Sequence, residues 1–215
     1  KAYVENYVHT LTHELKSPLA AIRGAAELLE EDLPEPERQR FASHIQRQTE
    51  RLRQLIDKLL RLADVEQMRA LTMREPVDLS ALTRDLLQRA EPRLRLKGLR
   101  VRDELGQGEV VRGDAFLLGQ ALQNLLDNAI DFSPEKGSIE VRCVSEKDQV
   151  EVSVKDEGPG LPDYALGRVF ERFYSLKNQE TGSKGSGIGL CFVKETMGLH
   201  GGEVRLENDV KRGAV

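Results

Sequence analysis

Residues Val8–Ile22 read VHTLTHELKSPLAAI and decide the fold of the N-terminal region. Around this stretch apolar residues recur at alternating steps of four and three, the heptad pattern of a helix buried along one side. The members of this first seam are Val4, Val8, Leu11, Leu15, Pro18, Ile22, Ala25 and Leu29. His13 lies two residues from both Leu11 and Leu15. A rotation of about 100° per residue therefore places its side chain off the seam, facing solvent.

The residues that follow His13 make an exposed imidazole chemically useful. Glu14 is adjacent, and a carboxylate at that position can orient or deprotonate the ring. Pro18 has no N–H to donate to the carbonyl of Glu14, which loosens the helix one turn beyond the histidine. A lone His-Glu pair is more often an ordinary surface feature. Combined with a phosphate donor elsewhere in the chain, however, it suits a phospho-acceptor.

A second seam follows the first helix, which we predict over residues 1–31. The break at Leu33–Pro36 places Pro36 at the start of the next helix, which we predict over 37–68. The seam consists of Phe41, Ile45, Gln48, Leu52, Leu55, Leu59 and Leu62. A two-helix hairpin buries one stripe per helix and is marginal alone, so we expect a dimer that forms a four-helix bundle. A monomeric hairpin packed on the following domain is the alternative.

The composition limits the classes of function. The chain has 215 residues, 32 of them basic and 36 acidic, and this mildly acidic balance argues against nucleic acid as a partner. Cys143 and Cys191 lie far apart among apolar neighbours, so we expect buried free thiols and a reducing compartment. The sequence has no apolar run long enough to span a membrane and no visible signal peptide. Because it begins with Lys1 and enters a helix directly, we interpret it as part of a longer protein.

After residue 69 the pattern changes to alternating helices and strands. It predicts helices over 79–96, 114–132 and 186–199, with Asp78 and Asp114 as caps of the first two. The predicted strands are 99–105, 109–112, 138–144, 150–155 and 203–207. Residues 157–186 are rich in Gly and Pro and predict a long loop with a short helix at 165–171, and such loops are usually functional. We therefore divide the chain into a dimerisation hairpin (1–69), a linker (70–78) and a second domain (79–215).

One element of the second domain carries polar groups suited to a cation. Asn124 and Asn128 are four residues apart on a predicted helix, so their amide oxygens share a face and can bind a hard cation together. Asparagines on a helix are more often solvated or capping residues.

Two further elements suit a nucleotide. In Asp156–Gly160 a carboxylate at a strand end can accept the exocyclic amine of adenine, and the glycines allow the backbone to approach the ring. A plain Gly-Pro turn is the alternative. In Lys184–Leu190 alternating glycines precede a helix N-terminus, which presents N–H groups to phosphates. A flexible connector is the alternative for this stretch.

In their order along the chain, these features resemble the sensor histidine kinases of two-component systems, almost from end to end. The correspondence is with the family's H box (His13–Leu19), N box (Asn124–Phe132), first glycine box (Asp156–Gly160), F box (Val169–Tyr174) and second glycine box (Gly185–Leu190). The H-box region and Asp163–Leu166 are most similar to the CreC-type branch of the family.

The resemblance implies a fold and an activity. The fold is a helical-hairpin dimerisation domain followed by a two-layer α/β sandwich that binds ATP, the type shared with gyrase, Hsp90 and MutL. The implied activity is ATP- and Mg²⁺-dependent phosphorylation of His13, followed by transfer to an aspartate in the receiver domain of a response regulator. The implied location is the cytoplasmic part of a bacterial inner-membrane sensor kinase, with the membrane reached only through a missing N-terminal part.

The resemblance also implies roles for individual residues. His13 would attack the γ-phosphate while Glu14 takes or holds the other ring proton. Asn128, helped by Asn124, would hold Mg²⁺, and Asp156 would read adenine. The remaining expected nucleotide contacts are Phe132, Gly158, Gly160, Leu161, Tyr174, Lys184, Gly185, Ser186, Gly187, Ile188, Gly189 and Leu190.

The sequence departs from the family at three positions. Many members carry a basic group where this chain has Asp131, and another where it has Ser175. Phosphate charge would then rest more on Mg²⁺ and on Lys184, with Lys177 or Arg172 as further candidates, and we expect slower catalysis. Relatives with phosphatase activity often have Thr or Asn where this chain has Ser17. A serine there can still hold a water molecule, so phosphatase activity toward the regulator is a hypothesis.

Two other classes of function compete with the kinase. A signalling scaffold would bind nucleotide for conformation alone, and Asp131 and Ser175 favour it, whereas the His13–Glu14 pair argues against it. An ATPase-driven clamp of the gyrase or chaperone kind is the other, and the long N-terminal heptad hairpin disfavours it.

Overall fold

The computed structural model describes residues 2–176, 178, 185–209 and 213–214, with side chains described from residue 11 onward. The chain divides into two compact units, Lys1–Asp64 and Val65–Val215. The predicted combination of helices with an α/β domain is confirmed.

The first unit is a helical hairpin built on the two predicted seams. Helix α1 covers Ala2–Leu29 and continues through Pro18, and helix α2 covers Glu35–Gln67. Each described member of the two seams is buried or half-buried, with Pro18, Ala25, Leu55 and Leu62 buried. The side chains of Val4 and Val8 lie outside the described residues. The heptad prediction is therefore confirmed over the described residues. None of the helices in the described ranges has the length and apolarity needed to cross a bilayer.

The second unit combines helices with a mixed sheet. Its strands are β1 (Glu75–Asp78), β2 (Arg100–Leu105), β3 (Val110–Gly113), β4 (Ser138–Glu146) and β5 (Gln149–Asp156). Its helices are α3 (Leu79–Lys97), α4 (Ala115–Phe132), α5 (Asp163–Leu166) and α6 (Gly189–His200). Strand β4 pairs parallel with β2 and antiparallel with β5, while β1 and β3 form a separate antiparallel pair.

The core lies between the helices and one face of the sheet. Along β4 the side chains alternate, so Ile139, Val141 and Cys143 are buried while Arg142 faces outward. On α4, Leu118 and Leu122 contribute to the same core at helical spacing. This arrangement is a two-layer sandwich. Cys143 and Cys191 are buried free thiols, as predicted, and burial raises the pKa of both.

Both predicted helix caps are present. The Asp78 carboxylate accepts a hydrogen bond from the Ala81 N–H at 2.9 Å, and the Asp114 carboxylate accepts one from the Leu117 N–H at 3.0 Å. Each bond gives a partner to a backbone N–H in the first turn of a helix, where N–H groups have no acceptor within the helix. The cap on Asp114 fixes the start of α4, the helix that carries Asn124 and Asn128.

His200 connects the end of α6 to the start of α4. The Asp114 N–H donates to its Nε2 at 3.0 Å, and its Nδ1 lies 2.8 Å from the Thr196 carbonyl. With Nε2 as the acceptor, Nδ1 is the ring nitrogen that donates to the Thr196 carbonyl. The histidine thereby aligns the two helices that carry the N box and the second glycine box.

The described structure differs most from the sequence prediction in four places. Residues 203–207 alternate like a strand but form none, because the alternation supplies no pairing partner. Strand β1 forms where we predicted a linker, since it pairs with β3 from a distant part of the chain. The short helix α5 spans Asp163–Leu166 rather than 165–171, and α6 begins at Gly189 rather than at 186.

Candidate phospho-acceptor and nucleotide site

The candidate phospho-acceptor residues lie on α1. His13 is exposed, as predicted, and Glu14 is half-buried. Ser17 is also exposed, and because it lies four residues after His13, the two share a face of the helix. A partner protein approaching this face would meet the imidazole and the hydroxyl together.

The candidate magnesium residues lie on α4, and Asn124 packs against the start of α6. Asn124 is buried and Asn128 is half-buried. A Cβ placed on Gly189 would lie 3.5 Å from Asn124 Oδ1, so the amide packs directly against the first residue of α6. The fold therefore brings the N box and the second glycine box together, and the two amides offer the oxygen ligands that Mg²⁺ takes.

Asp156 closes strand β5 and is buried. Its Oδ1 accepts the Gly158 N–H at 2.7 Å and, more weakly, the Ala214 N–H at 3.4 Å. Burial raises the pKa of the carboxyl group, and the two N–H groups oppose that effect. Because both bonds fall on Oδ1, the arrangement suits a carboxylate whose second oxygen reads a ligand.

The backbone at Gly158 is packed against the end of α4. A Cβ at this position would lie 2.7 Å from the Phe132 carbonyl oxygen and 2.8 Å from Asp156 Oδ1, so only glycine fits. The first glycine box thus contacts the last residue of the N box. Glycine is required here so that the backbone can pack against α4 and the Asp156 carboxylate.

The F box is joined to the second glycine box through the backbone. The Phe173 N–H donates to the Gly187 carbonyl at 2.9 Å, and both residues have positive φ, 60° and 66°. A Cβ on Gly187 would lie 2.4 Å from the Phe173 carbonyl carbon, so this approach also requires glycine. The guanidinium of Arg168 lies 4.5 Å from the centre of the Tyr174 ring, which holds that half-buried ring in place.

The N-terminus of α6 is arranged to receive an anion. Ile188 occupies the N-cap position and provides no side-chain hydrogen bond to the first turn. The first N–H groups of every α-helix point toward its N-terminal end, and here the Ile188 side chain caps none of them. The helix dipole favours negative charge at the same place. Of the expected loop residues, Leu190 belongs to this first turn, and Gly185 and Ser186 precede it in the chain. Lys184 and Lys177 lie outside the described residues.

Comparisons with known proteins agree with this geometry. Residues 113–215 match the family described as Histidine kinase-, DNA gyrase B-, and HSP90-like ATPase, and residues 4–67 match the His Kinase A (phospho-acceptor) domain. A solved mycobacterial sensor histidine kinase, MprB, is 32% identical with a TM-score of 0.56, and the match covers 66% of this chain and 92% of that one. The chain belongs to the two-component sensor histidine kinases.

Two further comparisons bear on relatedness and on the fold. Sensor protein CreC of Escherichia coli is 46% identical over the whole of this chain. The chain spans less than half the length of the first curated relatives it matches, 44% in the case of CreC. The histidine kinase ThkA, solved in complex with the response regulator protein TrrA, is 22% identical with a TM-score of 0.81, over 99% of this chain and 60% of that one, and it shows the fold alone.

Sequence reasoning missed the residues that hold α4 of the kinase in place. The guanidinium of Arg93 on α3 binds both Asp127 and Asp131, the latter at 3.1 Å. Lys97 Nζ donates to the carbonyls of Ile130 and Asp131 at 2.7 and 3.0 Å. The last carbonyls of α4 are therefore capped by a basic residue from another helix. These pairs are more than 30 residues apart along the chain, so no local pattern signals them.

Two other side chains, Asn178 and Arg172, contact residues on helices. The buried Asn178 donates to the Asp131 carbonyl at 2.8 Å. Arg172 of the F box forms an ion pair with Glu66, which itself belongs to the second unit. That pairing engages the guanidinium in the protein, so Arg172 is a weaker candidate for phosphate contact than the sequence suggested.

Asp131 can be used to test how a nearby negative charge affects the binding of the ATP phosphates. Asp131→Asn removes a negative charge from the helix that carries Asn124 and Asn128, so ATP binding without Mg²⁺ should tighten. We expect a change of about two- to threefold, since unit charges several ångström apart in water interact by about 0.5 kcal/mol. The effect should shrink when Mg²⁺ or salt is added.

Titration calorimetry with and without Mg²⁺ measures this change. Asp148→Asn, an exposed charge removal in the β4–β5 turn, is the control for net charge. Equal effects of the two substitutions would contradict a local role for Asp131.

Proposed function

We propose that this chain is the catalytic core of an ATP-dependent protein-histidine kinase that phosphorylates His13. It then passes the phosphoryl group to an aspartate of a response regulator. The observation that carries the proposal is the convergence of four motifs within the second unit. Phe132 packs on Gly158, Asn124 packs on Gly189, and the Phe173 N–H binds the Gly187 carbonyl.

The chemistry of this convergence suits a magnesium nucleotide. Asp156 and Gly158 would hold adenine, while the uncapped first turn of α6 would receive phosphate oxygens. Asn128 and Asn124 would hold Mg²⁺, which neutralises phosphate charge when bound. Phosphoryl transfer depends mainly on positioning and charge neutralisation, and these residues supply both.

His13 would supply the nucleophile. A neutral ring nitrogen forms the bond to the γ-phosphorus, and the bond from that phosphorus to the bridging oxygen breaks, with its electron pair leaving on ADP. Glu14 takes or holds the proton of the other ring nitrogen. In the second reaction an aspartate oxygen of the regulator bonds to phosphorus, the N–P bond breaks, and its electron pair returns to the imidazole.

The first unit favours assembly as a dimer. Leu19, Leu28, Ile56 and Leu60 are apolar yet exposed, and none belongs to the seams inside the hairpin. A second hairpin that covers them would complete a four-helix bundle. The resemblance also supports, for the whole protein, attachment to a bacterial inner membrane through a part outside this chain.

Incubation with ATP labelled in the γ-phosphate distinguishes the three classes of function. Label that becomes covalently attached to the protein supports the kinase. Nucleotide that binds without labelling the protein supports the scaffold, and release of free phosphate alone supports the clamp.

Ser17 provides a separate test of phosphatase activity. Its hydroxyl shares a helix face with His13 and can hold a water molecule for attack on the regulator's acyl phosphate. Ser17→Ala should slow dephosphorylation of the regulator about tenfold, because one hydrogen bond that holds the water is worth about 1 kcal/mol. Phosphorylation of His13 should stay within about twofold of wild type.

The measurement is the decay of phosphorylated regulator with and without each variant. Thr12→Ala changes an exposed hydroxyl on the same helix, one residue before His13, and serves as the control. If Ser17→Ala leaves the decay rate unchanged, the phosphatase role of this serine is wrong.

A further inference from the structure

The side chain of Asn208 forms two hydrogen bonds with the backbone of a single residue in the nucleotide region. Its Oδ1 accepts the Leu161 N–H at 2.7 Å, and its Nδ2 donates to the Leu161 carbonyl at 2.6 Å. The amide therefore pairs with Leu161 as a neighbouring strand would pair through its backbone. The two residues are 47 positions apart in the chain.

The same amide limits the space around Gly160. This glycine has φ of 70°, and a Cβ on it would lie 2.8 Å from Asn208 Oδ1 and 3.3 Å from the Gly213 carbonyl oxygen. The contact fixes both the conformation and the position of the Gly160–Leu161 backbone. These are two of the residues expected to line the adenine pocket.

The segment that carries Asn208 also reaches Asp156. Asn208 forms a β-bridge with Ala214, whose carbonyl accepts the Asp156 N–H at 3.1 Å. The Ala214 N–H points at Asp156 Oδ1. Lys155 and Asp209 form an ion pair at 2.7 Å that anchors this segment to β5. Asn208 thus contacts Leu161, which directly follows the glycine box, and its bridge partner Ala214 contacts Asp156, the first residue of that box.

We propose that Asn208 is a positioning residue for adenine recognition. By holding the Leu161 backbone, it fixes the distance between the Asp156 carboxylate and the opposite wall of the pocket. The inference rests on the proposed function, because it names a residue that supports the same nucleotide site. Nucleotide affinity and base preference both depend on this distance.

Because Asn208 is exposed, its effect on nucleotide binding can be tested without unfolding the chain. Asn208 is exposed, so water can replace its hydrogen bonds when the side chain is removed, and the fold should tolerate the change. The Gly160–Leu161 backbone would then lose its fixed position. A base that depends on Asp156 should be affected more than one that does not.

The test compares ADP with inosine diphosphate, which carries an oxygen in place of the adenine amine. In the wild-type chain we expect Mg·ADP to bind more tightly. In Asn208→Ala the Kd for Mg·ADP should rise about tenfold, the scale of one weakened hydrogen bond between Asp156 and the adenine amine. The Kd for Mg·inosine diphosphate should change by less than about twofold, so the preference for adenine falls.

Glu207→Gln is the matched control, because it changes an exposed neighbouring side chain and leaves both the Asn208 amide and the Lys155–Asp209 ion pair intact. It should keep the adenine preference within about twofold of wild type. Asn208→Ser, which can retain one of the two bonds, should give an intermediate loss and serves as the second variant if Asn208→Ala does not fold.

The result that supports the inference is a selective loss of ADP affinity in Asn208→Ala, with a smaller loss in Asn208→Ser. An unchanged preference, or an equal loss for both diphosphates, overturns it while leaving the proposed function intact. A wild-type chain that binds neither diphosphate would overturn the proposed function and this inference together.

Discussion

His13→Gln is expected to reduce protein labelling from γ-labelled ATP to background, at least about a hundredfold below wild type. Glutamine carries an amide nitrogen whose electron pair is delocalised, so it cannot attack phosphorus as an imidazole does. His13 is exposed on α1, so the substitution removes no buried contact and should leave the hairpin folded. Nucleotide affinity, which depends on the second unit, should stay within about twofold of wild type.

His44→Gln is the matched control for this experiment. His44 lies on α2 in the same hairpin and is half-buried, so its replacement tests whether any histidine of the unit is required. Labelling should persist in that variant. Label retained in His13→Gln, or lost equally in His44→Gln, would show that the phospho-acceptor lies elsewhere.

The hairpin could be predicted from the sequence because its determinants are local. Each seam is a repeat of apolar residues over consecutive turns, and the break between the seams falls at two prolines. The same holds for the caps, since Asp78 and Asp114 bind N–H groups three residues away. When both partners of an interaction lie within one or two helical turns, the local sequence pattern is enough to predict it.

Strand pairing was the part that local pattern could not settle. Residues 203–207 and strand β1 illustrate the two failures, one alternating segment without a strand and one strand in a segment that we predicted to be a linker. A strand forms only when another segment supplies its hydrogen bonds, and alternation measures burial rather than pairing. Register between distant segments is decided by the whole fold.

The candidate site shows the same division between local and distant information. The motifs on Asn124–Phe132 and Asp156–Gly160 could be named from their residues, because glycine spacing and helical periodicity are local. The side chains that hold them in place could not. Arg93, Lys97, Asn178 and Asn208 act on residues more than 30 positions away, and each would pass in sequence for a solvated polar residue.

Asp156→Asn is expected to weaken Mg·ADP binding about 10- to 100-fold, the scale of a hydrogen bond to a charged acceptor. The asparagine oxygen can accept the N–H groups of Gly158 and Ala214 as Oδ1 does now. Its amide nitrogen would then stand where the second carboxylate oxygen stood, and a donor there faces the adenine amine, which is also a donor. Calorimetric titration at pH 7 measures the loss.

The same substitution should raise the free energy of unfolding at pH 7. Burial raises the pKa of Asp156 in the folded state, so the folded chain binds this proton more tightly than the unfolded chain does. Ionisation of Asp156 therefore lowers the free energy of unfolding. The full loss applies at pH values above the pKa of the folded state, and there is no loss below the pKa of the unfolded state, about 4. Asparagine carries no such cost, so the gain over wild type should vanish as the pH falls below about 4.

Glu157→Gln is the control, because ionisation of Glu157 has the opposite effect on the free energy of unfolding. Ser138 lowers the pKa of Glu157 through a hydrogen bond from its side chain and through its N–H, which donates to the carboxylate at 2.9 Å. The ionised form of Glu157 therefore stabilises the fold above about pH 4.5. Neutralising it should lower or leave unchanged the stability at pH 7, and should spare nucleotide binding. Urea unfolding of the three chains between pH 3 and 8 makes the comparison. If Asp156→Asn were less stable than wild type at pH 7, the buried carboxylate would be a structural anchor, and its proposed role in reading adenine would lose its physical basis.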